Sequence, residues 1–143
     1  MPADHTVKSF DSELKHLVQE IAQMGGLAEA ELAQAIDALA RRDSEAAASV
    51  IESDRRIDSM EQEVSTLALR ILALRQPMAS DLREVVAAIK ISSDIERIGD
   101  YSKNIAKRAL QLNQLAPLRP VSSIPRMGRL AQQIVKDVLD AYV

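Results

Sequence analysis

The chain has 143 residues, 47% hydrophobic and 27% charged, a net charge of −3 and no cysteine. That describes a soluble domain, or slightly more than one, with length enough for a real core. The negative charge and an aromatic content of 2% exclude general nucleic-acid binding by phosphate contacts or base stacking. The lack of cysteine excludes a disulfide framework and thiol chemistry and fits the cytosol. Ala, Leu, Ile, Glu and Arg dominate, the composition of an all-α bundle packed with small aliphatics. The first residues show no basic region followed by an apolar run, so no signal peptide is expected. The longest uninterrupted apolar run, Val85 to Ile89, is far short of a membrane span. A soluble, cytoplasmic protein without direct membrane insertion is therefore expected.

From about His5 to Arg42, the residues Phe10, Leu14, Leu17, Ile21, Met24 and Ala28 alternate in steps of four and three, and Leu32, Ala35, Ile36 and Leu39 continue the stripe. This predicts one long helix. Gly25-Gly26 would weaken it by roughly 1 kcal/mol per residue relative to alanine, and either breaks it or admits a neighbouring helix closely. Arg41-Arg42 then Asp43-Ser44 supply a basic C-terminus and a cap for the next helix, which runs to about Arg75. Its seam is Val50, Ile57, Met60, Val64, Leu67, Ile71 and Leu74. Gln76-Pro77 stops it, because proline cannot continue a helix. Ser80 is the expected cap of a third helix reaching about Leu115, whose Ile91, Ile95, Ile98, Ile105 and Leu112 give it a neighbour on a second side. Two prolines and a serine pair between Ala116 and Ser123 mark a linker. A fourth helical pattern follows, with Met127, Leu130, Ile134, Val138 and Tyr142. Nothing caps it, so the chain is expected to end inside a helix. Its apolar face has no home in a complete three-helix bundle and should pack on a partner chain or fold back.

Folding the second and third helices antiparallel about Pro77 makes residues face each other when their numbers sum to 154. Leu72 then faces Leu82, Leu69 faces Val85, Ser65 faces Ile89 and Glu61 faces Ser93. Further out, Asp58 faces Glu96 and Asp54 faces Asp100. An apolar stripe near the turn thus becomes an acidic stripe at one level on both helices. Part of this charge is ordinary helix surface, with Glu52–Arg56, Asp94–Arg97 and Asp100–Lys103 spaced as ion pairs. Four carboxylates plus Glu61 at one level still need compensation that three arginines on diverging faces supply poorly. A multivalent cation with oxygen ligands would supply it, and Asn104, one turn past Asp100, adds a neutral oxygen. Gly99, costly inside a helix, leaves room there for a metal or for close packing. The competing reading is a metal-free interaction module whose acidic face docks basic partners.

Catalytic constellations are missing. Bundle-type di-iron sites use Glu-x-x-His pairs, and the two histidines, His5 and His16, lie at neither acidic stretch. There is no glycine-rich phosphate loop and no nucleophile–base set, so no enzyme is expected.

Ile91-Ser92-Ser93-Asp94-Ile95-Glu96-Arg97-Ile98-Gly99-Asp100-Tyr101-Ser102-Lys103-Asn104-Ile105-Ala106 resembles the signature helix of the PhoU family, in which an E(D)xxxD motif on the third helix of a three-helix repeat is partnered by one on the second, here Ile51 to Asp58. The opening Phe10-Asp11-Ser12-Glu13-Leu14 is also similar. The resemblance implies an antiparallel three-helix bundle at 5–116, a linker at 117–123 and, at 124–143, the opening helix of a second, incomplete repeat. It further implies a cytoplasmic regulator that binds iron or zinc, as a multinuclear cluster in some members, on Asp54, Asp58, Glu96 and Asp100. Glu61 and Asn104 are added by the residue reading. Such proteins link the phosphate ABC transporter to a sensor histidine kinase and negatively regulate the Pho regulon. A homodimer is expected, and nucleic acid is not a partner.

Overall fold

The computed structural model describes residues 2–119 and 122–143, with side chains from Lys8 onward; Pro120 and Val121, in the expected linker, lie outside the described residues. Among the described residues four helices make up the fold: α1 (Pro2–Arg41), α2 (Ser44–Arg75), α3 (Ala79–Asn113) and α4 (Ser123–Tyr142). The chain is all-α. The first three helices form the antiparallel bundle that the periodicity predicts, each touching both others, while α4 folds back along α1.

Two of the three reversals are tight because a non-glycine residue takes the left-handed conformation after a helix: Arg42 (φ 56°) after α1 and Gln76 (φ 45°) after α2. Asp43 caps α2 as expected, its Oδ1 accepting from the Ala46 amide at 3.0 Å. The expectation for α3 is corrected. It begins at Ala79, with Met78 as its N-cap residue in an extended conformation (φ −124°, ψ 155°) and no side-chain cap bond, which leaves Ser80 already inside the first turn. Arg42 also clamps the far end of α3, donating to the carbonyls of Asn113 (3.2 Å) and Leu115 (2.7 Å). This meets acceptors that a helix C-terminus leaves unpaired, where α3 has no basic residue of its own. At the opposite end Arg75 grips Glu13 (3.0 Å) and Ser9 (2.6 Å).

The buried seams of α1, α2 and α3 step mostly by three and four. On α2 the seam runs through Val64, Ala68 and Ile71. Leu69 and Leu74, expected inside, are 62% and 65% exposed; Ala68 holds the seam position that the larger leucines suggested for themselves. On α3 the seam is mostly small: Ala88, Ser92, Gly99, Ser102, Ala106 and Ala109. Small residues let backbones approach closely and give little signal in a scan for large apolar side chains.

Helix α1 stays continuous through Gly25-Gly26. The close approach expected there is real at Gly25, where an added Cβ would collide with Leu139 of α4, while one added at Gly26 would enter open space. Gly128 of α4 makes the reciprocal contact with Ile36 of α1. The side of α4 turned away from α1 remains apolar and open, with Met127, Leu130, Ile134 and Val138 each about 60% exposed.

These contacts predict opposite effects for one substitution. Gly26→Ala should raise stability by about 0.5–1 kcal/mol through helix propensity alone. Gly128→Ala places its methyl 2.9 Å from the branched carbons of Ile36, a stiff neighbour, and should cost about 1–3 kcal/mol of α1–α4 packing. Thermal melts would measure the first, and faster tryptic cleavage at Arg126 and Arg129 the second.

Candidate metal centre

The hydrophobic interior is divided. One cluster contains Met24 and Ala28 of α1, Ile57 of α2 and Ile95 of α3; the other contains Ala35, Val50 and Ala106. Between them each of the three bundle helices places a polar or side-chain-free residue on its buried seam: Glu31 on α1, Asp54 on α2, Gly99 and Ser102 on α3. Regular three-and-four spacing puts Glu31 and Asp54 inside as surely as the leucines. Asp54 is 1% exposed and Glu31 4% exposed.

Three carboxylates converge at this level. Asp54, Asp58 and Asp100 each bring an oxygen within 4.8 Å of the other two, a cluster that could hold a metal ion. Glu96 adjoins it. Burial, then a hydrogen bond and charge repulsion from Asp100, push its carboxyl up to about 7, with Asp58 and Asp54 adding to the effect. Asp58 is also raised, by burial first and then by Asp54. The register about Pro77 holds here, since a Cβ on Gly99 would lie 2.8 Å from Asp54 Oδ1 and 3.3 Å from Ile57 Cδ1. The two remaining sequence candidates lie outside this grouping. Glu61 is half-buried and accepts from Ser65 Oγ on its own helix at 3.3 Å; Asn104 is exposed.

The compensating cation is a lysine rather than an arginine. Lys103 Nζ donates to Asp54 Oδ2 at 2.7 Å, and Asp100 Oδ1 is 3.5 Å away. The sequence spacing placed Lys103 with Asp100 on the surface of α3; its shorter bond crosses to α2. Glu52 pairs with Arg55 (3.1 Å) instead of Arg56, and Asp94–Arg97 is not among the described ion pairs. Two buried oxygens are left without a partner, Asp54 Oδ1 and Glu31 Oε2. Such atoms are rare and costly unless something else meets them.

Glu31 is the residue that sequence reasoning missed. Ser53 Oγ donates to its Oε1 at 2.8 Å, and burial raises its carboxyl to about 7 against that bond, helped by Asp54 and Asp58. A signal was present: it falls three after Ala28 and four before Ala35, on the seam itself.

An all-α bundle with an all-oxygen acidic cluster between α2 and α3 defines the class of protein. Residues 21–109 match the PhoU domain, and the chain belongs to the PhoU family. It is 52% identical over 140 residues to a phosphate-specific transport system accessory protein PhoU homolog of Caulobacter vibrioides, covering 97% of this chain and 61% of that one. A Zymomonas mobilis homolog of the same name is 46% identical, covering 96% and 58%. Among solved structures, PhoU from Pseudomonas aeruginosa superimposes with a TM-score of 0.89 at 38% identity, covering 93% of this chain and 64% of that one. The chain thus spans about three fifths of the length of the curated relatives it matches. The family is one of regulatory accessory proteins rather than enzymes.

Raised carboxyl groups make the metal-free protein sensitive to pH. Folded Glu31 keeps a proton that the unfolded chain has already lost between about 4.5 and 7, so its contribution to stability is complete at low pH and disappears as pH rises through this window. Metal-free protein should melt at a lower temperature at about pH 7.5 than at about pH 5. Glu31→Gln, which cannot ionise, should flatten the slope and be the more stable form at the higher pH.

Proposed function

We infer that this chain is a metal-binding regulatory adaptor of phosphate uptake and phosphate-starvation signalling. It works in the cytoplasm, linking a phosphate ABC transporter, through its ATPase, to a sensor histidine kinase and negatively regulating the Pho regulon. The supporting observation is the convergence of Asp54, Asp58 and Asp100 beside a buried, unpartnered Asp54 oxygen, in a relative of proteins named as phosphate-transport accessories. Among the described residues no helix is long and apolar enough to cross a membrane, so contact with the transporter would go through that partner's own cytoplasmic parts. In this reading residues 5–116 are one PhoU-like repeat, 117–123 a linker and 124–143 the opening helix of a second. A homodimer belongs to the same reading.

The residues present fit a metal. The donor set is entirely oxygen, which suits hard or borderline ions such as iron, with zinc the next expectation. Asp54 has a carboxylate oxygen to spare, and the missing side chain of Gly99 leaves space in front of it. Asp54, Asp58 and Asp100 would hold the ion, with Glu96 adjoining and losing its proton to join them; Glu61 and Asn104 stand as outer candidates. An acidic face for docking basic partners would need its carboxylates at the surface, and Asp54 is fully enclosed.

Metal content of protein purified without chelator or nickel, measured by mass spectrometry, tests this. Wild type should carry stoichiometric metal and Glu96→Ala/Asp100→Ala none; absence from both after loading with iron, zinc or manganese would sink the metal reading. Gly99→Ala should weaken binding by about tenfold or more by crowding Asp54. The adaptor role predicts that wild type, but not the double variant, co-purifies with the transporter ATPase.

A further inference from the structure

The acidic layer already contains a cation, its own lysine. Lys103 Nζ sits 2.7 Å from Asp54 Oδ2 and 3.5 Å from Asp100 Oδ1, two of the three carboxylates that converge. The ammonium therefore occupies oxygens that an incoming ion would need. Among the described ion pairs no other cation reaches Asp54 or Asp100.

Two features make this arrangement exchangeable. The Lys103 side chain is 26% exposed, so its flexible stem lies at the edge of the bundle with a route to solvent. Its single charge and its contacts leave Asp54 Oδ1 buried and unpaired. A multivalent ion engages several carboxylate oxygens at about 2.0–2.6 Å and meets more of the acidic charge. An ammonium and a metal ion on the same two carboxylates would repel each other, so they exclude one another.

We propose that Lys103 is a tethered competitor for the metal: its ammonium holds Asp54 and Asp100 while the site is metal-free and moves out to solvent when the ion enters. This rests on the metal-binding reading above. The lysine keeps the buried carboxylate paired in the empty protein. It also sets a threshold, because only an ion that binds more favourably than the Lys103–Asp54 pair displaces it. Filling the site then turns a partly buried, paired ammonium into a free surface charge on α3, a change that a partner protein could read.

Manganese(II) serves as the probe, with the full chain titrated by calorimetry. Lys103→Met keeps the length of the side chain and removes the charge. It should bind manganese about tenfold or more tightly than wild type, although the metal-free variant melts lower because Asp54 has lost its partner. On the wild type itself, amine-reactive labelling of Lys103, read by peptide mass spectrometry, should increase when manganese saturates the site while the exposed Lys107 stays constant. Manganese binding by wild type with equal or weaker affinity in Lys103→Met, or with Lys103 labelling unchanged, would overturn the proposal and leave the metal site standing. No manganese binding by either protein would overturn both.

Discussion

A carboxylate enclosed as fully as Asp54 is costly to bury without a cation beside it, and in this bundle the cation comes from the facing helix. The 2.7 Å bond from Lys103 joins α3 to α2 at the one level where the hydrophobic interior is interrupted. Much else follows from accommodating it. Gly99 has no side chain because an added carbon would lie 2.8 Å from the carboxylate. Ser102 occupies the next seam position and meets its own helix, its Oγ donating to the Ile98 carbonyl at 3.0 Å. Glu31 completes the layer from α1, held by Ser53, the residue just before Asp54. A core of aliphatic side chains alone at this level would have been easier to stabilise, since buried ion pairs seldom repay their desolvation. Retention of charge there points to use rather than to stability.

The fold was legible in the sequence wherever apolar residues were large. The three long helices, the reversal at Pro77 and the register between α2 and α3 followed from periodicity and one proline. The same register brings Asp54, Asp58, Glu96 and Asp100 to one level from spacing alone. Errors came where size and polarity misled. Leu69 and Leu74 looked like core and are exposed, because Ala68 carries the seam. Ser80 looked like a cap, but the extended backbone after Gln76 starts the helix one residue before it.

The candidate site was half legible for a related reason. Spacing along one helix shows which residues share a face, but not which side chain crosses to a neighbour. Lys103 therefore appeared as a surface partner of Asp100 and proved to bond to Asp54. Glu31 was overlooked because a charged residue on an apolar seam is easily taken for a gap in the stripe. The break in the pattern was itself the information.

Helix α1 serves as a wall common to two different interiors. One side carries Glu31 into the acidic layer, and the other receives α4 at Gly25 and Ile36, positions that bracket Glu31 along the helix. At 1.5 Å per residue these contacts lie within about 10 Å of the Glu31 level measured along the axis. Helix α4 and the carboxylates of the core are thus separated by the thickness of a single helix. Whatever presses on α4 from outside bears on the same length of backbone that fixes the third side of the acidic layer.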